Sequence, residues 1–222
     1  MILALNINKN QQDINKNTAL HLLLQNPLDY QKIETLLEWW LNPNILNDQD
    51  KNIITHMIET SDYALLEVLK PYRLDMNQVL NSLPNKPSIF LFAVEKWDVA
   101  FLSSILTYKN LFEIDTEKKD TLWNNALHLS IQANYYELTK LLLAQQIPLN
   151  ESNNEGLTPL MNATIRNQFN IAHLLASHVW IDFEKINENN MNVLDYACQN
   201  NALNIVILFQ NIHKNFSQTS CK

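Results

Sequence analysis

The sequence predicts an all-α fold, a solenoid of about six helix pairs joined by short hairpin or loop fingers. Two observations carry this. The first is a duplication within Asn125–Leu175. Asn125-Ala126-Leu127-His128-Leu129-Ser130 opens a short apolar segment and Lys140-Leu141-Leu142-Leu143 closes a second. After Leu149-Asn150 and Asn153-Asn154-Glu155-Gly156 the unit restarts at Thr158-Pro159-Leu160-Met161-Asn162-Ala163 and ends at Leu174-Leu175. The second observation is a run of helix-capping residues along the whole chain. Thr18, Asn52, Ser88, Asn125, Thr158 and Asn192 recur at separations of roughly 34, 36, 37, 33 and 34 residues. Each has a short side-chain oxygen that can accept from a free N–H of a first helical turn.

Each element follows from this frame. Pro159 sits at the first helical position, where its missing N–H removes no bond. Asn134, Asn167 and Asn201 each lie nine residues past a cap, where the first helix must stop. Asn is the next-best residue after Gly for a left-handed stop. In the second and third units that slot holds Ser61 and Trp97, so those turns are expected to be less regular. The first unit pairs a helix near Thr18–Gln25 with one near Tyr30–Leu41, whose apolar face is Ile33, Leu36, Leu37 and Trp40. The second pairs Asn52–Glu59 with Asp62–Leu69, and the third pairs Ser88–Glu95 with Asp98–Leu106. Glu113–Asp120 is a charged finger of solvated character. The sixth unit runs from Asn192 through Phe209. Residues 1–16 read as an N-terminal lead or partial cap, 17–215 as the repeat domain and 216–222 as a polar tail.

The unit openings at Asn125 and Thr158 and the period near 33 residues resemble the ankyrin repeat, with its T-P-L-H-x-A opening. That resemblance implies a protein-binding scaffold whose finger tips and first-helix ends face the partner. Carried over slot by slot, it points to Lys96, Trp97, Trp123, Gln132, Tyr135, Glu155, Ile165 and Arg166. Trp and Tyr are enriched in interface hot spots. The alternative for Trp97 and Trp123 is that they fold inward to plug irregular turns. Trp39, Trp40 and Trp180 fall in or after second helices and read as packing. The resemblance also gives His21 and His128, in the His slot of the motif, a structural role in tying adjacent units together.

Composition narrows the chemistry. The chain has 222 residues, 46% of them hydrophobic, with 23 acidic residues against 16 Lys and Arg for a net charge of −7. Nucleic acids and anionic membranes favour a basic stripe, and no Lys/Arg cluster exceeds Lys118-Lys119. No apolar run approaches the length of a membrane span. A single Gly excludes the Gly-rich phosphate loops and the nucleophile elbow, which need two or more. The histidines have no Cys or carboxylate partners at metal-ligand spacing. Cys198, inside a periodic helix, reads as a small buried hydrophobe rather than a nucleophile. With two Cys there is no disulfide framework, and a reducing compartment is expected.

The sequence thus predicts a non-catalytic, monomeric protein-interaction module with no cofactor and no metal. Its partner is a protein, with no nucleic acid and no membrane insertion. The Asn-rich, Gly-poor composition is similar to that of ankyrin proteins that intracellular bacteria such as Legionella inject into host cells. That similarity implies a translocated effector acting on a host protein, and a location that is cytoplasmic or, after secretion, the host cell cytosol. The alternatives are an immunity or antitoxin-like inhibitor, and an enzyme with a site hidden in a degenerate repeat.

Overall fold

The computed structural model describes residues 8–25, 27–96 and 98–212. Among these there are twelve α-helices and no strand, the only β pairing being an isolated bridge between Val79 and Ser88. The chain divides into two compact units, Met1–Ile114 and Asp115–Lys222. In the first, α1 (Ala19–Leu23) pairs with α2 (Tyr30–Glu38), α3 (Ile53–Thr60) with α4 (Tyr63–Leu69), and α5 (Ile89–Glu95) is followed by α6 (Val99–Thr107). In the second, α7 (Ala126–Gln132) pairs with α8 (Tyr136–Ala144), α9 (Pro159–Ile165) with α10 (Phe169–Ala176), and α11 (Val193–Gln199) with α12 (Leu203–Ile212).

Helices this short do not persist alone in water, so each depends on its neighbours. In the first unit α3 packs on α5 and α2 on α4. In the second, α7, α9 and α11 pack in succession, as do α8, α10 and α12. First helices therefore stack on first helices and second on second, the arrangement of a helical repeat. The first unit buries Ile33, Ile54, Met57, Leu65 and Phe90 at 0% exposure, and the second Leu127, Leu138, Leu142, Leu175 and Phe209 likewise.

All six predicted caps begin first helices. Asn52, Ser88, Asn125, Thr158 and Asn192 each accept a backbone N–H of the first turn through the side chain. Thr18 also stands at an N-cap, but its hydroxyl lies 2.8 Å from His21 Nδ1 instead. The residue three positions later completes the cap. The Thr18, Asn52 and Asn192 N–H groups donate to His21 Nδ1 (3.0 Å), Thr55 Oγ1 (2.9 Å) and Asp195 Oδ2 (2.8 Å), and Asn125 N–H to His128 Nδ1 at 3.4 Å. In the four repeats where that slot holds His, Thr or Asp it serves one task, accepting the cap's own N–H, while Leu91 and Met161 fill it with apolar side chains.

The left-handed turns follow the same frame. Ser61, Asn134, Asn167 and Asn201 have φ of 50, 54, 53 and 52°. A second set lies two residues before each cap: Lys16, Asp50, Lys86, Trp123, Gly156 and Asn190, with φ of 59, 54, 46, 61, 74 and 59°. Trp40, Glu113 and Gln146 add φ of 71, 48 and 60°. Most turns that favour Gly are therefore made here by residues with a Cβ. At Gln146, exposed beyond the end of α8, Gly should relieve the strain without removing buried surface. Gln146→Gly is expected to stabilise by about 0.5–1 kcal/mol, strain relief outweighing the added unfolded-state entropy. A denaturant midpoint that stays put or falls would show that the turn is unstrained.

Four expectations need correction. Helix α2 ends at Glu38, not Leu41, so Trp40 leaves the apolar face and enters the left-handed turn. Trp39, Trp40 and Trp180 do not pack: they are 60, 82 and 76% exposed, because helix ends here open into loops that turn their rings outward. The charged finger is not simply solvated. Thr116 and Asp120 are buried, Asp120 because its carboxylate organises the loop. Cys198 is half-buried beside the core of the second unit rather than buried within it.

Candidate partner-binding surface

The fingers are built by a recurring residue five positions before the cap. Asp13, Asn47, Asp120, Asn153 and Asn187 each accept, through one oxygen, the N–H groups two and four residues on, at 2.8 to 3.0 Å. Such a side chain replaces a backbone partner and closes the turn. Leu83 holds that position in the third finger and cannot accept. There Asn85 and Lys86 are both left-handed, and the Ser82 N–H reaches across to the Asp50 carboxylate. This device was missed in the sequence, although its spacing from the caps could have disclosed it.

Adjacent fingers are cross-linked within each unit. In the first, Asn47 Nδ2 donates to Asn17 Oδ1 at 2.9 Å and Asp48 N–H to the Asn15 carbonyl at 3.2 Å. In the second, Asn153 Nδ2 donates to Asn124 Oδ1 at 3.2 Å and Asn154 N–H to the Leu122 carbonyl at 3.0 Å. The histidines fasten fingers to helices. His21 Nε2 lies 2.7 Å from the Lys51 carbonyl, and His128 Nε2 lies 2.9 Å from that of Leu157. Both therefore bridge consecutive repeats. Burial pushes the His128 imidazole down to about 4, against the opposing pull of its bond to Leu157. The Lys119 ammonium, 2.7 Å from Glu151, holds that carboxyl below its usual range.

The predicted site residues distribute as follows. In the second unit Trp123 stands on a finger, 59% exposed beside Leu122 at 38%, with Lys119 Nζ 5.7 Å from its ring centroid. Glu155 is exposed on the next finger, brought alongside by the Asn154–Leu122 bond. Gln132 ends α7 and Arg166 follows α9, both exposed. Arg166 Nε donates to Asn162 Oδ1 at 2.8 Å, which fixes the root of its guanidinium. Tyr135 is the half-buried N-cap of α8. Ile165 is half-buried and packs against the core, so much of its side chain serves the stack. In the first unit Lys96 is exposed after α5, its Nζ 4.8 Å from the Phe92 ring centroid. Trp97 lies outside the described residues.

The second unit thus carries an aromatic and acidic finger edge at one end of its first helices. At the other end it carries the polar pair Gln132 and Arg166. Among the described residues no group of three or more His, Cys, Asp or Glu is placed to hold a metal ion. No helix among them is long and apolar enough to cross a membrane.

Comparison with known proteins gives a consistent family. A model described as Ankyrin repeats (3 copies) matches residues 92–185 and again 127–218, together more than half of the chain. No curated protein matches the sequence. Among solved structures, the chain is similar to the ankyrin repeat domain of Bcl-3, described as a unique member of the IkappaB protein family. That similarity has a TM-score of 0.76 at 17% identity, over 89% of this chain and 86% of that one. An ankyrin repeat domain from Acinetobacter baumannii AYE gives a TM-score of 0.74 at 19% identity, over 87% and 96%. At these identities the likeness is one of fold.

Proposed function

This chain belongs to the ankyrin repeat family, a protein–protein interaction fold, and we propose that it is a non-catalytic module that grips a protein partner with its fingers and first-helix ends. The observation that carries this is the Leu122–Trp123 finger beside Glu155, an exposed apolar tip on a loop whose Leu122, Trp123 and Asn124 N–H groups are all bonded. Interfaces concentrate their energy in such aromatic anchors, with Arg and Tyr among the next contributors. On this reading Trp123, Gln132, Tyr135, Glu155 and Arg166 meet the partner, with Ile165 contributing its exposed part. Lys96 and Trp97 belong to the same kind of surface in the first unit. The repeat domain spans 17–215, between a lead and a polar tail, and acts as a monomer.

The Asn-rich, Gly-poor composition supports an effector of an intracellular bacterium, delivered to a host cytosol and directed at a host protein. The test is capture from host lysate and, in parallel, from the producing cell, with the parent and with Tyr135→Ala and Arg166→Ala. The expected result is one host protein held by the parent. Each variant should melt like the parent and lose about 2 kcal/mol of binding, roughly thirtyfold in affinity. Capture only from the producing cell would favour an immunity-like inhibitor. Full-strength binding by both variants would move the interface to the second-helix side.

A further inference from the structure

We propose that the Leu122–Trp123 finger is the anchor of this surface, and that it seats in an apolar socket on a protein partner whose rim carries Lys or Arg. The anchor presupposes the finger and helix-end surface proposed above and narrows it to one loop and one partner chemistry.

Four observations converge on that loop. The first is its backbone. The slot two residues before each cap is left-handed in all six repeats, and its occupants are otherwise Lys16, Asp50, Lys86, Gly156 and Asn190. Trp123 alone places a bulky aromatic there, at φ 61°, a conformation that disfavours such residues. The second is exposure. With 59% of Trp123 and 38% of Leu122 accessible, the stack leaves most of the indole uncovered. A left-handed backbone that holds a large aromatic mostly in solvent is the kind of outlier that points to function.

The third is rigidity. Asp120 Oδ1 accepts the Leu122 and Asn124 N–H groups, both at 2.8 Å. The Trp123 N–H donates to the Asp120 carbonyl at 3.0 Å, and the Leu122 carbonyl accepts from Asn154. Binding such a loop sacrifices little backbone entropy, which is what makes a preorganised aromatic effective. The fourth is charge. Lys119 beside the ring is already answered by Glu151 at 2.7 Å. The exposed charges of this finger and the two that follow include Glu117, Glu155 and Glu188, with Lys118 half-buried. Glu155 and Glu188 enter no ion pair among the described residues. The finger edge therefore reads as an apolar tip followed by two unanswered carboxylates. A complementary surface supplies a greasy pocket with cations at its edge.

The experiment works with the partner still unidentified. The full chain is immobilised and used to select twelve-residue peptides from a random phage-displayed library. The enriched peptides are then synthesised and titrated against the parent, Trp123→Gly, Glu155→Gln and Arg166→Ala, and each variant is melted. The expected peptides combine aliphatic or aromatic residues with Lys or Arg. Trp123→Gly should lose at least about tenfold in affinity while its Tm stays within roughly 4 °C of the parent, because relief of the left-handed turn offsets the lost partial packing of the ring. Glu155→Gln should weaken binding about two- to fivefold, with the gap closing in high salt. A Tm that falls by more than about 5 °C in Trp123→Gly, peptides that bind it within twofold of the parent, or a library that yields no binder would overturn the anchor. Peptides that need Arg166 but not Trp123 would overturn it and leave the wider surface standing. Peptides indifferent to both would overturn both.

Discussion

Acidifying the protein from pH 7 to pH 4 is expected to remove about 3 kcal/mol of stability through one side chain, His128. The ring is 0% exposed and burial pushes its pKa from 6.5 down to about 4. A drop of that size corresponds to about 3 kcal/mol of preference for the neutral ring in the fold. The folded value lies below the unfolded one, so between pH 4 and 6.5 the unfolded chain binds the extra proton. The contribution is therefore complete above pH 6.5 and is lost as pH falls toward 4. The surroundings do not all point the same way. The Asn125 side chain donates through Nδ2 to the Pro148 carbonyl at 2.9 Å, which leaves its Oδ1 2.8 Å from His128 Nδ1. A charged ring would thus find an acceptor on both nitrogens, though its Nδ1 could no longer take the Asn125 N–H, and Asp120 and Glu151 also favour charge. Removal from water outweighs them. The control is His128→Met, since Met161 fills that slot in the next repeat. Its stability, measured by denaturant titration from pH 7 to pH 4, should lack this component, although the carboxylates titrate in both proteins. Parallel curves for parent and variant would show that His128 carries no such linkage.

The caps were legible because capping needs only a short side-chain oxygen, and residue type alone declares it at Thr18, Asn52, Ser88, Asn125, Thr158 and Asn192. The left-handed turns were legible where Asn fills them, at Asn134, Asn167 and Asn201. They were opaque at Trp40, Trp123 and Gln146, whose residue types give no hint of positive φ. There the only clue is register. Trp123 stands 33 residues before Gly156, and a strict repeat carries the glycine's conformation onto it. Exposure was harder still. Whether Trp40 packed depended on α2 ending at Glu38, a shift of a few residues that periodicity does not resolve. Ile165 shows the same limit at the candidate site. As the last residue of α9 it falls on the partner-facing end by slot, yet its side chain leans onto the core. The finger carboxylates and amides were overlooked for another reason. Asp120 sits in a charge run and Asn153 in an Asn-rich stretch, so their common spacing from the caps was hidden by composition.

Replacing Gly156 with Val is expected to destabilise the second unit by about 1–3 kcal/mol, from two causes acting on the same atom. The backbone there has φ of +74°, which a β-branched residue adopts only under strain. A Cβ would also stand 3.2 Å from Asn187 Cβ and 3.6 Å from the Glu188 nitrogen. Asn187 is poorly placed to retreat, because its Oδ1 already holds the Asn189 and Met191 N–H groups at 3.0 Å each. Nor can the finger relax by giving up the turn. The Gly156 N–H donates to the Asn153 carbonyl at 3.0 Å, and the Leu157 carbonyl that follows is the acceptor for His128. The strain is thus passed to a hydrogen bond between repeats. Gly156→Asn separates the two causes, since Asn190 makes the equivalent turn at φ 59°. Asn tolerates the left-handed backbone but keeps the Cβ, so its loss should come mainly from the contact with Asn187. Denaturant unfolding of the parent and both variants is the measurement, and the expected order of stability is parent, then Asn, then Val. Equal midpoints for all three would mean that the finger has room to shift. Equal losses for Asn and Val would assign the whole effect to the approach of the next finger rather than to the backbone.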